Sequence, residues 1–212
     1  MKLYNYWRSS ASYRVRIGLS LKGLAFEYVP VHLTEGGGQQ HSEPHVQRNR
    51  MEQVPVLEWE EGGQTTSLTQ SVAILEYLDE RHPEPPFFPR DPLARAAVRR
   101  SVEIVNSGIQ PLQNMSLMAE IRRLGGDDRA FARAANERGL AALEQEAASG
   151  GGAFLIGDSL TLADIFLVPQ MYSARRLGVD LGPYPKIVHI DDRLTRMPAI
   201  AAAHPDRQPD AQ

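Results

Sequence analysis

The chain has 212 residues, 42% of them hydrophobic and 23% charged, with a formal net charge of −3. Such a composition can bury a core, and it argues against long disorder and against a chain-wide surface for nucleic acid or acidic membranes. There is no cysteine, which excludes disulfides, thiolate metal sites and a cysteine nucleophile.

Lys2 to Trp7 alternates in character and predicts a strand. It lacks the apolar stretch of a signal peptide, and no segment reaches the roughly 20 apolar residues that cross a bilayer, so a cytoplasmic protein is expected, with no membrane or nucleic-acid partner. Arg8 to Ser12 is a serine-rich turn, and Tyr13 to Lys22 reads as a helix stopped by Gly23. Phe26 to Val31 predicts a second strand, so the opening is a parallel strand–helix–strand unit. His32 to Met51 is expected to be loop with a short helix. Val54 to Trp59 and Thr65 to Leu68 flank a glycine turn over Glu60 to Gln64 and predict a hairpin. Gln70 to Arg81 carries Ile74, Leu75 and Leu78 on one helical face, and Pro83, Pro85, Pro86 and Pro89 then mark a linker.

Beyond Asp91 no strand pattern remains. Leu93 to Leu124, Asp127 to Ala148, Leu162 to Leu177 and a segment within Pro185 to Ala203 predict helices, with Gly150 to Gly152 as a loop. The pattern divides the chain into an α/β unit over 1–83 and an all-α unit over 91–212. Thr161 and Asp164 have the spacing of a capping box, with Leu160 and Ile165 at the staple positions.

Chemistry is concentrated at helix starts. Arg8, Ser9, Ser10 and Ser12 precede the first helix, where unpaired amides and a partial positive charge favour a thiolate or carboxylate; a plain serine cap fits the residues as well. Gln70-Ser71 opens another such N-terminus, and Gln53-Val54-Pro55 leads into the third strand, where a proline needs no ladder donor. Arg175-Arg176 ends an apolar helical run, as a solvated end or as a carboxylate clamp. His41 and His45 are four apart, but Pro44 between them and the lack of a third ligand argue against a metal. Gly36-Gly37-Gly38 matches no phosphate-loop pattern and reads as flexible loop.

Together these stretches resemble the zeta class of glutathione transferases. The likeness begins with Arg8-Ser9-Ser10-Ala11-Ser12-Tyr13-Arg14-Val15-Arg16-Ile17, similar to the class signature Ser-Ser-x-Ser-x-Arg-Val-Arg-Ile. It continues through Asn49 to Leu57, Gln70 to Ile74, Gly108 to Asn114, Gly157 to Gln170, Val179 to Leu181, Pro183 to Pro185 and His204 to Asp210. Ala11 stands where the class often has cysteine, and Arg50 where it has proline.

The resemblance implies a thioredoxin-like domain followed by a helical bundle, a homodimer, and glutathione as cofactor. It implies that Ser9, with Ser10 and Arg8 beside it, serves the glutathione sulfur. Val54, between Gln53 and a cis-linked Pro55, would pair with the cysteinyl part, and Gln70 and Ser71 would bind the γ-glutamyl carboxylate. Arg8, Gln110, Gln113, Asn114 and Arg176 would receive a small acidic substrate. The implied reaction turns maleylacetoacetate into fumarylacetoacetate by reversible thiolate addition, a step of aromatic amino-acid breakdown. Maleylpyruvate or an α-haloacid as substrate, or a non-catalytic binding scaffold, are the alternatives. The intact set of Arg8, Ser9, Gln70, Ser71 and Arg176 argues against the scaffold.

Overall fold

The computed structural model describes residues 1–150 and 152–212. Its opening run is an inner strand: β1 (Lys2–Asn5) pairs parallel with β2 (Glu27–Pro30) and antiparallel with β3 (Val56–Glu61). β3 pairs antiparallel with β4 (Gln64–Thr69), which gives a four-stranded mixed sheet in the order β2-β1-β3-β4. The parallel pair needs a crossover, and α1 (Ser10–Leu21) supplies it. The hairpin turn is tighter than the five residues expected. Gly62 and Gly63, at φ 60° and 77°, make it alone, as a two-residue turn with positive φ at both positions demands. A short α2 (Glu43–Arg48) forms within the expected loop, and α3 (Ser71–Arg81) follows β4. α1 and α3 pack together, and Val15, Ile17, Leu19, Ile74, Leu75 and Leu78 have no exposed surface.

The helical part comprises α4 (Pro92–Asn106), α5 (Met115–Arg123), α6 (Asp128–Gly150), α7 (Leu162–Leu177) and α8 (Pro185–Leu194), and a short α9 (Pro198–Ala202) follows. The single helix expected over Leu93 to Leu124 is broken in two. A side chain at position 108 would place its Cβ 2.6 Å from the Ile104 carbonyl oxygen, and Pro111 has no amide with which to continue a helix. The chain instead makes a 3-10 turn at Gln110–Gln113, and the Asn114 side chain caps α5 by accepting from the Ser116 amide at 3.1 Å. α7 is buried on every side from Leu162 to Met171, the pattern of a core helix. Its start is held by Asp164, whose carboxylate accepts from the Thr161 amide at 2.8 Å, the Thr161 hydroxyl at 3.1 Å and the Leu155 amide at 2.9 Å. Gly151, in the expected glycine loop, lies outside the described residues.

The chain forms two compact units, Met1–Pro85 with Met197–Gln212 and Pro86–Arg196. The last 16 residues therefore belong with the sheet, in contrast to the expected helical unit over 91–212. The reason is local: α9 packs on α1, and the buried Arg16 side chain donates to the Ala203 carbonyl at 3.1 Å. The expected proline linker is partly core, with Phe87 and Phe88 buried in the second unit and the guanidinium groups of Arg95 and Arg99 each 4.8 Å from the Phe88 ring. Among the described residues no helix is long and apolar enough to cross a membrane.

Candidate active site

The turn between β1 and α1 is built from its backbone outward. Ser9 is the N-cap of α1, with φ −67° and ψ 121°, and its Oγ accepts from the Ser12 amide at 3.2 Å. Capping uses only an acceptor lone pair, so the Ser9 O–H remains available as a donor. The first-turn amides of α1 have no carbonyl one turn back inside the helix, and that turn carries no acidic residue. A thiolate beside Ser9 therefore meets a hydroxyl donor and the positive end of a helix, both of which favour the charged form. Arg8 is half-buried with its guanidinium 5.3 Å from the Trp7 ring, and Ser10 and Ala11 lie half-buried in the first turn.

Two arginines of the same helix shape this turn, although sequence reasoning gave them no role. Arg16 is buried and donates to the Asn5 side chain at 2.9 Å and to the carbonyls of Tyr6 at 3.3 Å and Trp7 at 2.8 Å. Arg14 is buried too, and donates to the Ser71 hydroxyl at 3.2 Å. The Arg-Val-Arg of the signature thus ties α1 to the end of β1 on one side and to the start of α3 on the other. An arginine at 1% exposure is the exception among charged residues, but nothing in its sequence neighbourhood announces burial.

At the start of α3, Ser71 is buried while Gln70 is exposed and adopts φ 69°, a left-handed conformation unusual for any residue but glycine. Such strain gathers where the chain holds a ligand. Val54 is buried in a cluster with Tyr4, Tyr6, Trp7, Val31 and Val56, and the Val54–Pro55 bond is cis. The preceding Gln53 carbonyl accepts from the His45 ring at 2.9 Å and from the Asn49 amide at 2.8 Å. His45, weighed above as a metal ligand, is thus a strut for Gln53 and Val54, whereas His41 is exposed and pairs with Glu52. Arg50 is exposed beside this loop.

In the second unit the expected substrate residues have distinct surroundings. Gln113 belongs to an amide network: it exchanges hydrogen bonds with Gln170 at 3.2 and 3.3 Å and accepts from Asn136 at 2.8 Å. Asn114 is occupied as the cap of α5, and Gln110 opens the 3-10 turn, half-buried. The arginine pair splits. Both are exposed, but Arg175 is bound to Asp191 and lies 3.7 Å from Asp192, and Arg176 has its guanidinium 5.9 Å from the Tyr172 ring. Burial pushes the Asp191 carboxyl up to about 6, although Arg175 pulls the other way.

A mixed sheet in this order, crossed by a helix with an N-cap serine and followed by an all-helical unit, is the architecture expected of a glutathione transferase, and the family comparisons bear it out. The family of the glutathione S-transferase N-terminal domain matches residues 1–80, and that of the C-terminal domain matches 116–203. The chain is 44% identical over 208 residues to maleylacetoacetate isomerase of Rattus norvegicus, an alignment spanning 98% of this chain and 94% of the relative. It is similar to the crystal structure of maleylacetoacetate isomerase from Anaeromyxobacter dehalogenans 2CP-1 with GSH bound in the active site, at 52% identity and a TM-score of 0.91, covering 100% of this chain and 97% of that one. The holo structure of a maleyl pyruvate isomerase, a bacterial zeta-class glutathione S-transferase, gives 38% identity and a TM-score of 0.93 with 100% of both chains covered. The chain belongs to the zeta-class glutathione transferases, in the family of the maleylacetoacetate isomerases.

Proposed function

We propose that the chain is a glutathione-dependent cis–trans isomerase that converts maleylacetoacetate into fumarylacetoacetate in phenylalanine and tyrosine breakdown. The observation that carries the proposal is Ser9, a helix N-cap whose hydroxyl keeps its proton to donate. When bound, glutathione supplies a thiolate that adds reversibly to the cis double bond, which can then rotate. Ser9 holds the sulfur as its anion, with Ser10 and the first turn of α1 behind it. Val54, framed by Gln53 and Pro55, offers its backbone to the cysteinyl part, and Gln70 and Ser71 take the γ-glutamyl carboxylate at the N-terminus of α3. Arg8 and Arg176 are the guanidinium groups assigned to the carboxylates of the acidic substrate, a task suited to their paired donors. Gln110, Gln113 and Asn114 are assigned to the substrate as well, with Gln113 also in the amide network and Asn114 also capping α5. The functional division is a glutathione domain over 1–83 and a substrate domain that begins at residue 91, with 197–212 returning to the first unit, in a cytoplasmic homodimer.

The test is turnover of maleylacetoacetate against maleylpyruvate, each with glutathione far below substrate concentration and without it. Many turnovers per glutathione are expected, with maleylacetoacetate preferred. A preference for maleylpyruvate transfers the assignment to that substrate, and no glutathione dependence on either overturns the proposal.

A further inference from the structure

Trp7 lies just past β1 and immediately before Arg8 and Ser9, where the sheet no longer supplies partners. Both polar groups of its backbone are nevertheless taken. Its carbonyl accepts from Arg16 at 2.8 Å, and its amide donates at 3.2 Å to Asp210, which is 203 residues away in sequence. The other Asp210 oxygen accepts from the Tyr28 hydroxyl on β2. Burial, and next the bond to Asp210, hold that phenol far above its ordinary range, so it remains a donor. Beside it, Ala211 packs on the cluster of Tyr4, Tyr6, Trp7, Val31, Val54 and Val56, and Gln212 reaches the His32 ring at 3.2 Å. The C-terminal segment therefore clamps the strand end from which Ser9 projects, and touches the cluster that holds Val54.

We infer that Asp210 is a positioning residue for the thiolate: by fixing the Trp7 amide it sets the place of the Ser9 hydroxyl at the mouth of α1. The inference rests on the proposed role of Ser9. It also predicts a sign that bare electrostatics does not. Deleting a nearby carboxylate removes a negative charge, which by itself lowers the pKa of a thiol, whereas displacing the Ser9 donor raises it.

The experiment reads thiolate absorbance of enzyme-bound glutathione against pH, with kcat and KM, in wild type, Ser9→Ala, Asp210→Ala and Asp210→Asn. Asp210→Ala is expected to raise the bound thiol's pKa and to lower kcat at neutral pH by about tenfold, with activity recovering at high pH and KM for glutathione changing by less than about twofold. Asp210→Asn keeps an oxygen for the Trp7 amide and is expected to stay within about threefold of wild type. An unchanged or lowered thiol pKa in Asp210→Ala, with Ser9→Ala raising it, overturns the inference and leaves the role of Ser9 standing. No response in Ser9→Ala overturns both. Should Asp210→Ala not fold, Tyr28→Phe carries the test: loss of the second anchor of Asp210 is expected to shift the thiol in the same direction by less, and an unchanged thiol overturns the inference.

Discussion

Ser9 accepts from Ser12 to cap a helix, and on the proposed mechanism the same side chain keeps a proton for the sulfur. Ser9→Ala loses both, and the two losses are separable. Cap removal is expected to cost about 1 kcal/mol of stability, read by thermal or urea unfolding. Loss of the donor should lower kcat by about 10²-fold, with glutathione affinity largely kept because the anchors at Val54, Gln70 and Ser71 remain. Near-full turnover would remove Ser9 from the mechanism and direct attention to Ser10. Gln70 carries the opposite trade. At φ 69° its backbone is strained for a side chain, so Gln70→Gly should raise stability by about 1 kcal/mol. On the proposed glutathione site the same change deletes a donor to the glutamyl carboxylate and should weaken glutathione by about 1.5–3 kcal/mol in calorimetry. If stability rises and affinity is unchanged, the strain at Gln70 has nothing to do with the ligand. The residue types at both positions were readable from sequence, because serine and glutamine before a helical run are donors at a helix start. The strain at Gln70 was not, since nothing in its neighbours dictates a left-handed turn.

Local signals succeeded at element scale wherever the periodicity was strong and failed where an apolar rhythm runs on through a break between two helices. The strand–helix–strand start and the glycine hairpin both form, the hairpin with a tighter turn than expected. The break between α4 and α5 carries a sequence signal in Pro111, but Ile109, Leu112 and Met115 continue an apolar rhythm across it, and the approach of Gly108 to the Ile104 carbonyl shows where the chain bends. At the start of α7 the box of Thr161 and Asp164 has a consequence for pH. Burial pushes the Asp164 carboxyl up to about 6 against the pull of its hydrogen bonds from Leu155 and Thr161. A folded-state pKa above the unfolded value means that the folded chain binds the proton more tightly. The stability this confers is complete below about 4 and lost as pH rises through about 6. The stability of wild type minus that of Asp164→Asn, from urea curves, should fall by roughly 3 kcal/mol over that window and be flat above pH ~7. A difference that grows with pH would mean that the three hydrogen bonds outweigh burial.

For the whole molecule, sedimentation equilibrium is expected to give twice the 23.6 kDa mass of the chain. A chain-mass species at micromolar concentration would end the dimer assignment. Spacing along the chain and the residues able to donate carried the α/β-then-helical order and the helix starts that suit an anion, while the serine signature over Arg8 to Ile17 carried the resemblance to the family. Only the tertiary structure decided that residues 197–212 return to the first unit, and that Arg14 and Arg16 turn inward to Ser71 and to the end of β1. It also decided that His45 braces Gln53, that Arg175 pairs with Asp191 and that Arg176 lies by the Tyr172 ring. The physical reason is common to all of them. A buried arginine, histidine or aspartate is stable only if its partners close around it, and those partners lie 8 residues off for His45 and Gln53, 57 for Arg14 and Ser71 and 187 for Arg16 and Ala203, separations that follow no helical or strand period.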